Sequence, residues 1–188
     1  MQNIEIDRLI PNPLNPRKNL GDLSELTNSI KSNGILQNLS VVKIGEHVLN
    51  ITTGATDGFD YMVVIGHRRL AAAKEAGLKA VPCEVLELSE AEQVAMMLAE
   101  NMQRNSLTKF EETAGIQQAL DLGLSESEVA EKTGFTKQTI TKHKKAMEVG
   151  AEVVKKGYEE GATIDQLIEL TKIKDEKTRE KLSDSLGS

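Results

Sequence analysis

Three stretches hold residues whose types and spacing could do chemistry. In Val63-Val64-Ile65-Gly66-His67-Arg68-Arg69-Leu70-Ala71-Ala72-Ala73, a short apolar run meets a glycine, two arginines and a series of small helix formers. A strand that turns directly into a helix aims backbone N–H groups and the positive helix end outward. Arg68 and Arg69 add donors suited to phosphate oxygens. The second stretch, Glu100-Asn101-Met102-Gln103-Arg104, sets a carboxylate and an amide beside an arginine at a helix end. Oxygens of that kind help hold a hard cation while arginines hold phosphate charge, so the two stretches together suit a Mg-nucleotide. Taken alone, each reads equally well as an ordinary turn with solvated arginines or as a surface ion pair.

The third stretch is a basic helix, Thr136 to Met147, with Lys137, Lys142, Lys144 and Lys145 and no acid before Glu148. The preceding segment carries Glu126, Glu128 and Glu131, so the positive charge is confined to one element. Such a helix suits a major groove, with Lys142 and Lys145 on phosphates and Gln138, Thr139, Thr141 and Lys137 toward base edges. Thr136 stands at its start. A solvated basic helix in a bundle is the alternative, and Lys144 falls where the period from Ile140 asks for an apolar residue.

The elements that position these residues follow from pattern. Asn3 to Ile10 alternates as a first strand. Asn12-Pro13-Leu14-Asn15-Pro16-Arg17 forbids regular structure and holds Arg17 on an extended loop. Asp22 with Glu25 predicts a capping box for a helix through Leu26 and Ile30, stopped at Gly34. Leu39 to Ile44 and Asp60 to Ile65 read as paired strands around a long polar insert, Gly45 to Phe59. The helix after Gly66 ends at Gly77, and Ala80 to Leu86 supplies another strand. Beyond about residue 88 the β pattern stops. Ser89 with Glu92 opens a helix toward Arg104, and Phe110 to Leu122 reads as the next. Ser125 with Glu128, the turn Thr133-Gly134-Phe135, and Thr136 before Ile140 describe two short helices with a glycine-containing turn, a helix-turn-helix. Thr163 with Gln166, then Asp175 with Thr178, open two closing helices.

The expected fold is α+β, a small α/β domain over 1–88, connecting helices over 89–122, and an all-α helix-turn-helix domain over 123–188. The 188 residues are 39% hydrophobic and only 3% aromatic, so the core rests on aliphatic side chains and Met. A formal net charge of -6 argues against indiscriminate coating of nucleic acid and leaves room for a local basic surface. The single cysteine, Cys83, rules out an internal disulfide and suits a reducing cytosol. No apolar run approaches the ~20 residues that span a bilayer. His47, His67 and His143 are scattered away from metal-ligand partners, and no phosphate loop ending in Gly-Lys-Ser/Thr occurs.

In order along the chain, Asn15-Pro16-Arg17, Gly34-Ile35-Leu36-Gln37, Gly66-His67-Arg68-Arg69-Leu70-Ala71-Ala72, Glu100-Asn101-Met102-Gln103-Arg104 and the helix-turn-helix resemble ParB, the partition proteins with a sulfiredoxin-like N-terminal fold. The resemblance implies a CTP-dependent DNA clamp with Mg2+, acting in plasmid or chromosome partition. Such a clamp is a homodimer that reads a palindromic centromere-like site in double-stranded DNA, works with a ParA-type ATPase, and hydrolyses CTP slowly. It places Arg17, Gly66, His67, Arg68, Arg69 and Ala72 at the nucleotide, joined by Asn101, Gln103 and Arg104. Asn101 is then the metal-side ligand, and Gln37 and Glu100 support hydrolysis. The family usually has Glu where His67 stands and an acidic pair where Asn105-Ser106 stand. These departures bear on hydrolysis and nucleotide choice more than on binding. Family members continue into a C-terminal dimerisation domain, so the chain is read as truncated. A ParB-like regulator that binds DNA without nucleotide is the alternative. A sulfiredoxin-type enzyme lacks its cysteine, because Gly66 occupies that position.

Overall fold

The structure is a computed structural model that describes residues 1–44 and 59–173. The polar insert, apart from Phe59, and the helix read from Asp175 lie outside the described residues. The chain divides into two compact units, Met1–Ser89 and Glu90–Ser188.

In the first unit, the segment read as one strand is two. β1 (Gln2–Glu5) and β2 (Leu9–Pro11) are separated by a 3-10 turn, Ile6–Arg8. The apolar spacing explains the break. Ile4 and Ile6 share one face of a strand, whereas Leu9 would fall on the other. The turn lets all three enter one core, with exposures of 4%, 5% and 0%. β3 (Leu39–Lys43), β4 (Tyr61–Ile65) and β5 (Ala80–Leu86) complete a five-stranded sheet of order β1-β5-β3-β4-β2. The β1/β5 and β3/β4 pairs are antiparallel, and β3/β5 and β2/β4 are parallel.

β1 and β2 therefore form opposite edges although only a short turn separates them. Glu5 to Leu9 can span at most about 14 Å. A flat sheet would set its outer strands about 19 Å apart. The sheet must curl to bring its two edges within reach. β4 lies inside it, with Met62, Val63 and Val64 successively buried, so both of its faces are covered.

α1 (Ser24–Asn33) and α2 (His67–Glu75) pack on each other, and Thr27 Oγ1 donates to Glu75 Oε2 at 2.9 Å. The predicted capping box at α1 is absent. Leu23 is the N-cap, and Asp22 instead accepts from Ser24 N–H at 3.0 Å and Ser24 Oγ at 2.7 Å. Those two bonds, closed within three residues, lower the Asp22 pKa. Gly34 ends α1 as expected, in a positive-φ conformation, with its N–H on Ile30 O.

The second unit is helical: α3 (Glu90–Gln103), α4 (Lys109–Asp121), α5 (Glu126–Thr133), α6 (Lys137–Met147), α7 (Ala151–Glu159) and α8 (Ile164–Leu170). Capping boxes open α5 at Ser125/Glu128 and α8 at Thr163/Gln166, as read. A third, Thr108/Glu111, opens α4 and was legible as Thr-x-x-Glu but not read. Gly134, at φ 81, makes the turn between α5 and α6, and Thr136 caps α6 by accepting from Thr139 N–H. On α6 the core side is Ile140, His143 and Ala146. His143 takes the place that the aliphatic period left open. Its Nδ1 lies 2.8 Å from Thr113 Oγ1, and Thr113 Oγ1 gives its own proton to Lys109 O. Nε2 of His143 lies 3.3 Å from Glu112 Oε1.

Candidate functional site

Gly66 is required twice at the β4–α2 junction. It sits at φ 103, and a Cβ there would lie 3.0 Å from Leu39 Cγ and 3.3 Å from Arg69 Cζ. With no side chain, the chain turns directly from β4 into α2. Arg68 and Arg69 then reach back along the protein. Arg68 Nη2 donates to Asp22 O at 2.8 Å, and its Nη1 donates to Leu20 O. Arg69 Nη1 donates to Gln37 O at 2.6 Å and also to Asn38 O. The two arginines thus brace the loops on either side of α1. Gln37, a hydrolysis candidate, is exposed and is tied to the arginine motif through its backbone.

Arg17 comes from the Asn-Pro loop, which is more ordered than two prolines alone suggest. Asn12 Oδ1 accepts from Leu14 N–H and Asn15 Oδ1 from Arg17 N–H, two Asx turns that place Arg17 from a buried base. The loop is also held to α2, because His67 Nε2 accepts from the Asn12 N–H at 3.2 Å. Burial lowers the His67 pKa to about 4, which fits a neutral ring using Nε2 as acceptor. Between loop and helix lies a cleft of about 300 Å³. Its lining includes Arg17, Lys18, His67, Ala71 and Lys74. The cleft thus brings Arg17 and His67 together with Lys18 and Lys74. Lys74 was readable, since His67, Ala71 and Lys74 repeat at i, i+4 and i+7 on one helix face. Ala72 points the other way. It is fully buried, which makes it a packing residue rather than one that touches a ligand.

In the second unit, Glu100 and Arg104 pair at 3.1 Å, one helical turn apart, and Gln103 is exposed. Asn101 is 5% exposed and used at both ends of its amide. Nδ2 donates to Met97 O at 2.8 Å, and Oδ1 accepts from Ser106 Oγ at 3.0 Å. Ser106, read only as a missing acid, thus ties off the end of α3. No group of three or more His, Cys, Asp or Glu side chains that could hold a metal occurs among the described residues.

The candidate DNA-facing residues lie on α6 and its cap. Thr136, Lys137, Gln138, Thr141 and Lys145 are exposed, while Lys142 and Thr139 are half-buried. Three of the polar side chains have acidic partners from neighbouring helices. Thr141 Oγ1 donates to Glu126 Oε2 at 2.6 Å, Lys144 Nζ to Glu126 Oε1 at 3.0 Å, and Lys142 Nζ to Asp165 Oδ1 at 2.8 Å. Cys83 is fully buried and its thiol is pushed up to about 11 by burial, the opposite of what a reactive cysteine needs.

A curled five-stranded sheet, a glycine-initiated helix with two arginines, and a following helical unit define a partition-protein N-terminal architecture. Residues 1–102 match the ParB N-terminal domain, and the chain belongs to that family. It is 39% identical over 132 residues to the chromosome-partitioning protein Spo0J of Thermus thermophilus, covering 69% of this chain and 44% of that one. It is 38% identical over 146 residues to stage 0 sporulation protein J of Bacillus subtilis, covering 76% and 47%. The chain thus spans about half the length of the curated relatives it matches. Its fold is that of the C-terminally truncated chromosome-partitioning protein ParB from Caulobacter crescentus complexed to the centromeric parS site. That similarity has a TM-score of 0.55 and 23% identity, covering 98% of this chain and 100% of that chain. Among the described residues no helix is long and apolar enough to cross a membrane.

Proposed function

We propose that this chain is the nucleotide-binding and DNA-binding part of a CTP-dependent partition clamp. In this reading it recognises a centromere-like site in double-stranded DNA, acts as a homodimer in the cytoplasm with a ParA-type ATPase, and hydrolyses CTP slowly. The observation that carries the reading is the cationic cleft between the Asn-Pro loop and α2, which brings Arg17 and His67 together with Lys18 and Lys74. Its size is at the lower end of small-molecule sites, and its charge suits an anion. Arg17, Lys18 and Lys74 hold phosphate charge. His67 keeps the loop against the helix, while Arg68 and Arg69 hold the flanking loops and the phosphate-facing turn. Glu100, Asn101, Gln103 and Arg104 are assigned to the same ligand on the resemblance alone, and Gln37 and Glu100 to hydrolysis. A Mg2+ on the phosphates would neutralise part of their charge. On α6, Lys142 and Lys145 face phosphates, and Thr136, Gln138, Thr139 and Thr141 face base edges together with Lys137, whose charge also draws the phosphate backbone.

One observation favours the second reading, a DNA-binding regulator that ignores nucleotide. Arg68 and Arg69 are both engaged by backbone carbonyls, as structural arginines would be. Two variants separate the readings. In the clamp, Arg68→Ala lowers CTP affinity by more than about tenfold, because the phosphate-facing turn loses its brace at Leu20 and Asp22, and Lys145→Ala weakens DNA binding without touching CTP. If Arg68→Ala stays folded and binds CTP as well as the parent does, the nucleotide assignment fails.

A further inference from the structure

The exposed side of α6 carries an acid that belongs to another helix. Glu126, the first residue of α5, accepts from Thr141 Oγ1 and Lys144 Nζ with its two carboxylate oxygens. Only 22% of its side chain is exposed, against 51% of the Lys144 side chain that covers it. The hydrogen bond from Thr141, then that from Lys144, lower its pKa, which favours the carboxylate anion. Lys137, Thr141 and Lys144 recur at i, i+4 and i+7 and form one stripe of the helix. A fixed negative charge therefore lies on the stripe that carries Lys137 and Lys144.

The consequences are two. Thr141 and Lys144 are already engaged and cannot serve phosphate without first leaving Glu126. A phosphate backbone approaching that stripe also meets a like charge, which opposes sequence-independent binding. Asp165 treats Lys142 in a weaker version of the same way, through a pair in which both side chains are substantially exposed. Lys137 and Lys145 are left as the exposed cations of α6 for which no ion pair occurs among the described residues.

We propose that Glu126 is a specificity-determining residue of the DNA-binding face, holding Thr141 and Lys144 off the phosphate backbone and suppressing sequence-independent binding by α6. The proposal rests on reading α6 as the DNA-binding helix. The test measures affinity for a random-sequence duplex across a salt series, using the intact chain. Glu126→Gln keeps the shape and an acceptor for Thr141 but removes the charge. It should bind random DNA about tenfold tighter, with a log-log salt slope steeper by about one unit, and adding Lys144→Ala should return the slope to the parent value. Glu131→Gln makes the same change in net charge on an exposed position of α5 and should shift affinity less than about twofold. Equal effects from the two glutamate variants, or no gain in Glu126→Gln, would overturn the proposal. Lys137→Ala separates the failures. If it weakens random-DNA binding while Glu126→Gln changes nothing, the role of Glu126 alone falls. If it changes nothing, α6 is not the DNA-binding helix and both fall.

Discussion

At the scale of single residues, the site depends on side chains whose polar atoms do two jobs. His67 is the clearest case. Its position beside two arginines suggested a ligand contact, and the structure gives it a latch, with Nε2 on the Asn12 N–H. That bond needs the neutral ring. The folded chain holds His67 neutral to about pH 4, whereas the unfolded chain protonates it near the ordinary 6.5. Between those values the unfolded state binds more protons, so His67 makes stability fall as pH drops from 6.5 toward 4. Urea denaturation of the parent and of His67→Gln over that range should show a steeper loss in the parent. Parallel pH dependence in the two would contradict a buried neutral histidine. The residue types of the site were legible because glycine, arginine and proline restrict the backbone or carry fixed charge. Buried polar partners were not. Nothing local in the sequence couples Asn101 to Ser106, His143 to Thr113 or Glu126 to Thr141, since the hydroxyl meets its partner only after the helices end or pack.

At the scale of elements, the sequence was most informative where a local rule decides the outcome. The boxes at Ser125/Glu128 and Thr163/Gln166 close within one turn, so spacing alone specifies them. Asp22 shows how such a rule loses: its carboxylate found a nearer donor in Ser24, and the helix began after it. The broken first strand was hidden for a different reason. Its alternation from Asn3 holds locally, and only the need to bury Leu9 with Ile6 in one curled sheet ends it. The β4–α2 junction is where element geometry and site meet. Gly66→Ala would place a Cβ 3.0 Å from Leu39 Cγ in a left-handed backbone conformation. It should cost at least about 2 kcal/mol of stability, from strain and overpacking together. An unchanged denaturation midpoint would mean that the junction relaxes freely and that Gly66 is not what aims α2.

At the scale of the whole molecule, a chain of net charge -6 separates two kinds of positive surface. One is a cleft in the first unit, built by Arg17, Lys18 and Lys74, and the other is the outer face of α6 in the second. Their division between the units Met1–Ser89 and Glu90–Ser188 suits a protein that binds a small anion with one and a duplex with the other. The acids that hold Lys142 and Lys144 keep the second surface from being merely sticky. The cleft was only partly readable from sequence, because Lys18 and Lys74 join Arg17 through the fold of a loop onto a helix face. The most direct test of this account is calorimetric titration of the intact chain with CTP, ATP, GTP and UTP in the presence of Mg2+, repeated on the Arg17→Ala variant. The account predicts binding of CTP in preference to the other three, and its loss in Arg17→Ala. Absence of binding by all four nucleotides to a folded chain that binds DNA would contradict it and leave the nucleotide-independent regulator.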